Sequence, residues 1–81
     1  MMIYMKEKVA SIVHDTWAHW MQYLFEQSTL NQDGSVTIPK EKVDRWKRQM
    51  QTAYEDLSTE EQYSDLVEVD QYIECVRNEI G

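Results

Sequence analysis

Residues that interrupt helices are almost absent from this chain, and the two internal ones lie close together. Among 81 residues there are one proline and two glycines, and only Gly34 and Pro39 are internal. Turn-rich and β-rich folds normally use more of both residues. The apolar content of 42%, with three tryptophans and five tyrosines, is still enough for a packed core. We therefore expect an all-α fold.

Apolar residues at three- and four-residue spacings predict helices at about 5–27, 39–53 and 58–80. The first helix carries two adjoining apolar stripes, so it either lies centrally in a small bundle or leaves apolar surface for a partner. Between the first two helices, Asn31, Asp33 and Gly34 predict a turn, and the alternation of Ser35-Val36-Thr37-Ile38 predicts a brief extended segment. Thr37 is the expected N-cap of the second helix. The expected architecture is one domain, 1–81, folded as a compact three-helix bundle with an irregular loop between helices 1 and 2.

The third helix has the clearest local signals. Ser58 and Glu61 have the spacing of a capping box. The residues that follow form the most regular apolar stripe of the chain, at 3-4-3-4 spacing: Leu66, Val69, Ile73, Val76 and Ile80. We expect this stripe to face the interior of the bundle.

The charge is strongly negative and unevenly distributed. Fifteen acids and eight bases give −7 overall, but residues 39–54 hold five bases and two acids, and residues 55–81 hold nine acids and one base. A field of this sign repels nucleic acid and anionic membranes, so neither is an expected partner. With one cysteine, no membrane span and an apolar start too short for a signal peptide, the expected location is the cytoplasm.

Catalytic and metal-binding patterns are weak. The loop 29–40 imitates an EF-hand around Gly34, but Thr29 and Lys40 stand where the first and last carboxylates belong. His14 and His19 are five residues apart, so they diverge around a helix, and Cys75 has no histidine within helical reach. We expect no enzyme activity, no metal and no cofactor.

Two binding functions remain. Arginines and aromatic rings suit a nucleotide-like ligand, since an indole can stack on a base while guanidinium groups bind phosphate. The candidate residues are Arg45, Arg48, Lys47, Trp17, Trp20 and Trp46. The competing interpretation is that all three tryptophans are core residues and the arginines neutralise the third helix. The second function is a protein-binding inhibitor whose acids, Glu68, Asp70 and Glu74, block a basic, nucleic-acid-binding surface of a host defence protein.

Two segments resemble the ryanodine-receptor (RyR) repeat family. Ile12-Val13-His14-Asp15-Thr16-Trp17 resembles the opening motif of the repeat, and the segment from Tyr54 to Glu61, with Asp65, resembles its closing motif. The family's Gly-Trp-x-Tyr-Gly stretch is absent, Ala53 replaces the proline before the tyrosine, and Leu66 replaces an arginine. Together the two segments cover about a quarter of the chain.

The resemblance implies a small helical, non-enzymatic module of the type found in bacteria and phages. It adds His14 and Tyr54 to the candidate ligand-binding residues. The alternative for His14 is a helix-packing pair with Trp17, which the spacing of three equally favours. It also suggests a role in phage counter-defence, by sequestering a nucleotide-like ligand in the host cytoplasm. The wide apolar arc of the first helix predicts a homo-oligomer.

Overall fold

The protein is mostly helical, with one small β-hairpin. The computed structural model describes residues 2–80, with side chains described for residues 4–78. The helices are α1 (Met2–Glu26), α2 (Lys40–Met50) and α3 (Thr59–Ile80), and the strands are β1 (Thr29–Leu30) and β2 (Val36–Thr37). A 3-10 turn, Tyr54–Asp56, precedes α3. Each predicted helix is confirmed, with ends that shift by up to three residues.

The predicted irregular loop is wrong, because residues 29–37 form an antiparallel hairpin. Thr29 pairs with Thr37 and Leu30 with Val36. The turn is built on Asn31, whose carbonyl accepts the Gly34 N–H at 3.1 Å while its own N–H donates to the Ser35 carbonyl at 2.8 Å. Gly34 has a φ of +90°, a conformation that glycine adopts without steric cost.

The predicted N-cap of α2 is also wrong. The Thr37 hydroxyl accepts a hydrogen bond from the Asn31 amide at 3.0 Å, so it belongs to the hairpin. Pro39 occupies the capping position instead, and its carbonyl accepts the N–H groups of Lys42 and Val43 at 3.0 and 3.1 Å. Proline suits the start of a helix because its fixed φ is already helical and its missing N–H would be unpaired there.

The capping box of α3 is confirmed. The Ser58 N–H donates to Glu61 Oε1, and the Glu61 N–H donates to Ser58 Oγ, both at 3.2 Å. Glu61 is only 7% exposed, the one fully buried residue among those whose side chains are described. Two reciprocal hydrogen bonds therefore hold the start of α3.

The chain divides into two compact units. Unit 1 combines residues 1–18 with residues 58–81, and unit 2 is His19–Leu57. In unit 1, α1 and α3 meet through a hydrogen bond from Thr16 Oγ1 to Glu68 Oε2 at 3.2 Å. They also line a shallow groove, formed by Lys8, Ser11, Ile12, Gln71, Glu74, Cys75 and Asn78.

Hydrophobic side chains are half-buried at best. No hydrophobic residue among those with described side chains is fully buried. Val43, Trp46 and Met50 share one face of α2, where Val43 and Trp46 are half-buried while Met50 is 77% exposed. The stripe of α3, expected in the interior, is exposed at Leu66, Val69, Ile73 and Val76, and the side chain of Ile80 lies outside the described set.

Candidate functional site

Three aromatic rings of unit 2 form a connected series. The Trp20 ring lies 5.9 Å from Tyr23 in an edge-on arrangement, and the Tyr23 ring lies 6.3 Å from Trp46. These distances and tilts are in the favourable range for aromatic pairs. Tyr23 thus joins the end of α1 to α2. The Trp20 ring also meets the His19 ring edge-on at 5.5 Å, and Trp20 leaves 38% of its surface exposed.

The tryptophans do not form a sealed core. Trp17 is 58% exposed, Trp20 is 38% exposed and Trp46 is half-buried. The interpretation that all three are core residues is therefore wrong. Large exposed indoles are more typical of binding surfaces than of the exterior of a monomer.

The predicted basic residues lie on two faces of α2. At about 100° per residue, Arg45 and Arg48 are about 60° apart, whereas Lys47 lies on the far side of Trp46 from Arg45. All three are exposed, and Arg45 forms no ion pair within His19–Leu57. One ion pair of this helix joins Lys40 to Asp44 at 2.6 Å, one turn apart on the surface. Arg45 therefore offers an exposed guanidinium without an ion pair in this unit.

The other candidate ligand-binding residues are placed separately. His14 and Trp17 belong to unit 1, where their rings contact each other at 5.8 Å with a tilt of 30°. Tyr54 lies in unit 2, opens the 3-10 turn and is 42% exposed. Unit 2 thus contains six of the eight predicted residues, and His14 and Trp17 form a pair of their own.

The three predicted acids of α3 are not equivalent. Glu68 is half-buried and accepts hydrogen bonds from Thr16 and Gln71, both at 3.2 Å, so it is a contact to α1. Asp70 and Glu74 are exposed and lie one helical turn apart, on a different face. An acidic surface on α3 would use Asp70 and Glu74 without Glu68.

The EF-hand-like loop is organised by its own side chains. Asp33 Oδ1 accepts the Ser35 N–H at 2.9 Å and the Ser35 hydroxyl at 2.6 Å. These hydrogen bonds stabilise the carboxylate and hold the pKa of Asp33 below its ordinary 3.8. Among the described residues, no three His, Cys, Asp or Glu side chains lie together as a metal site would require. The carboxylate is thus already used in a turn.

One residue of the aromatic series was not among the candidates. Tyr23 contacts both Trp20 and Trp46, and its spacing of three from Trp20 is visible in the sequence. The contact of Tyr23 with α2 is not visible in the sequence, because no local pattern relates residue 23 to residue 46.

The fold and site define a small, mostly helical protein that exposes aromatic and apolar surface. None of the described helices combines the length and apolarity needed to cross a membrane. Comparisons with models of protein families, with curated proteins and with solved structures find no match for this chain.

Proposed function

We propose that this protein is a non-enzymatic binding protein and that unit 2 takes an anionic ligand with a flat ring, such as a nucleotide. The observation that carries the proposal is the partly exposed Trp20 ring, which is held between the rings of His19 and Tyr23. A ring backed by two others is held in place, so little conformational entropy is lost when a base stacks on it.

The charges of α2 favour an anionic ligand. Residues 39–54 carry five bases and two acids in a chain whose net charge is −7. Arg45 offers a fork of donors that matches two phosphate oxygens, while Arg48 and Lys47 add positive charge. A small anion can enter this local positive field, whereas a long polyanion also meets the surrounding acids.

Ligand binding can be measured by titrating nucleotides, linear and cyclic, against the intrinsic tryptophan fluorescence and in a calorimeter. We expect at least one nucleotide to bind, with Arg45→Gln weakening its affinity by roughly 10- to 100-fold, the loss typical of a charged hydrogen bond. Trp20→Leu should also lower the affinity for this nucleotide, because the substitution removes the ring on which the base stacks.

Lys6→Gln is the matched control for charge, since Lys6 is exposed and lies in unit 1. It removes one positive charge and should leave the affinity unchanged. Arg45→Lys keeps the charge but loses the fork, so it should bind more weakly than the parent chain. The proposal fails if no nucleotide binds, or if Lys6→Gln and Arg45→Gln have equal effects.

A second function, the acidic inhibitor of a basic host surface, is favoured by the exposed pair Asp70 and Glu74. Their carboxylates lie one turn apart and could imitate successive phosphates. A partner bound in this way would be lost with the Asp70→Asn and Glu74→Gln double variant and would be indifferent to Arg45→Gln. The two functions are thus separated by which variant abolishes binding.

The proposal also covers the biological role of the protein and the arrangement of its helices. The resemblance to the RyR repeat supports a cytoplasmic module of a phage that sequesters a nucleotide-like ligand. We also propose that the three helices form a compact bundle. The ligand proposal does not depend on it, because Trp20, Tyr23, Trp46 and Arg45 all lie in unit 2.

A further inference from the structure

The apolar stripe of α3 lies on the opposite side of the helix from α1. One face of α3 meets α1 and includes Glu68, Gln71 and Cys75. The apolar stripe lies about 160° away from this face around the helix axis. The stripe is exposed by 49, 41, 48 and 39% at Leu66, Val69, Ile73 and Val76. Ile73 and Val76, with Tyr72 and Arg77, also line a shallow apolar depression. Unit 1 therefore leaves its most regular apolar face uncovered.

The spacing of this face is that of a coiled-coil seam. Leu66, Ile73 and Ile80 occupy a positions of a heptad, and Val69 and Val76 occupy d positions. A strict 3-4 repeat keeps the seam in line along a partner helix with the same repeat. The stripe spans 15 residues, or about 22 Å of helix. A second copy of this chain supplies a partner with a matching repeat.

The flanking charges select the orientation of that partner. Asp70 and Arg77 are exposed at successive e positions, on one side of the seam, and neither is ion-paired with a described residue. In a parallel pair, Asp70 would face the g residue Asp65 of the second copy, which is repulsive. In an antiparallel pair, the e positions of the two copies face each other. Asp70 of each copy then faces Arg77 of the other, which gives two acid–base contacts.

The opposite flank does not reverse this preference. In the antiparallel pair, the g residues Asp65 and Glu79 face each other near the ends of the seam, which is unfavourable. The parallel pair also has two acid–acid contacts, but it has no acid–base contact to offset them. Arg77 is the one base among residues 55–81, so its position decides the balance.

We infer that α3 is a self-association surface, on which α3 of a second copy packs antiparallel along Leu66, Val69, Ile73 and Val76, with Asp70 paired to Arg77 across the interface. This surface consists of residues of unit 1, whereas the proposed ligand site consists of residues of unit 2. Failure of either proposal is therefore distinguishable from failure of the other.

Sedimentation equilibrium of the full chain gives the test, with two variants that differ only in which face of α3 they change. Val69 and Val67 are both exposed, by 41 and 45%, and Val67 lies about 140° away from the seam. Val69→Asp should weaken dimerisation by more than tenfold, whereas Val67→Asp, which adds the same charge to the same helix, should not. Far-UV circular dichroism of both variants checks that the helix is retained.

The orientation is tested by charge exchange. Asp70→Arg and Arg77→Asp should each weaken the dimer, and the double variant should restore it, because the e–e pairs re-form with reversed signs. Strengthening by Asp70→Arg alone would indicate parallel pairing with Asp65 and overturn the antiparallel arrangement. A chain that is monomeric at every accessible concentration, or equal effects of Val67→Asp and Val69→Asp, would overturn the surface itself.

Discussion

At the scale of single residues, Asp33 shows how one carboxylate can hold a turn. It accepts both the N–H and the hydroxyl of Ser35, and these bonds lower its pKa below 3.8. Since the folded pKa is the lower one, the stabilisation is present above pH 3.8 and is lost as the pH falls through the folded value. We expect the amide resonance of Ser35, followed by NMR, to titrate with a midpoint below 3.8.

Asp33→Asn is the control for this titration. The amide oxygen can still accept both hydrogen bonds, but the side chain no longer ionises. The Ser35 resonance should then stay constant across the same pH range. A midpoint at or above 3.8 in the parent chain would show that the carboxylate gains nothing from the turn.

At the scale of elements, α3 depends on its capping box. Ser58 and Glu61 satisfy each other's N–H groups at the first turn, where the helix has no internal acceptors. We expect Ser58→Ala to lower the free energy of unfolding by about 1 kcal/mol in urea denaturation.

Ser64→Ala is the matched comparison, because Ser64 is exposed within the same helix. Alanine has the higher helix propensity, so this variant should be neutral or slightly stabilising. Equal destabilisation by the two substitutions would mean that loss of the hydroxyl, and not of the cap, causes the effect.

Local rules explain which elements the sequence could predict. The capping box and the helical stripes join residues three or four apart, so their pattern is visible along the chain. The alternation of Ser35-Val36-Thr37-Ile38 indicates the extended segment that contains β2, but β1 has only two residues, Thr29–Leu30, too few to show a pattern. The turn around Asn31, Asp33 and Gly34 is a further signal, but it does not by itself pair the residues on its two sides.

Long-range placement explains what the sequence could not predict. The sequence shows which residues form the apolar stripe of α3, but their spacing does not say which helix the stripe packs against. In the structure the opposite face meets α1, through the bond between Thr16 and Glu68. Likewise Arg45 was a candidate from its residue type, whereas the contact of Tyr23 with Trp46 required the fold.

At the scale of the whole molecule, a chain whose described hydrophobic residues are all at least partly exposed has little to stabilise it alone. If second copies cover the stripe of α3, dimerisation adds to stability by mass action. A hundredfold increase in protein concentration should then raise the midpoint of thermal unfolding by about 5–10 °C, given the size of the chain. Circular dichroism in cells of different path length measures this shift directly.

The same measurement on Val69→Asp separates dimerisation from other effects of concentration. This variant should unfold at a lower temperature than the parent chain, and its midpoint should change little over the same hundredfold range. Val67→Asp should keep the concentration dependence of the parent, because its side chain lies off the seam. A parent midpoint that is constant across the range would mean that the single chain is stable by itself, and the exposed stripe would then contribute nothing to folding.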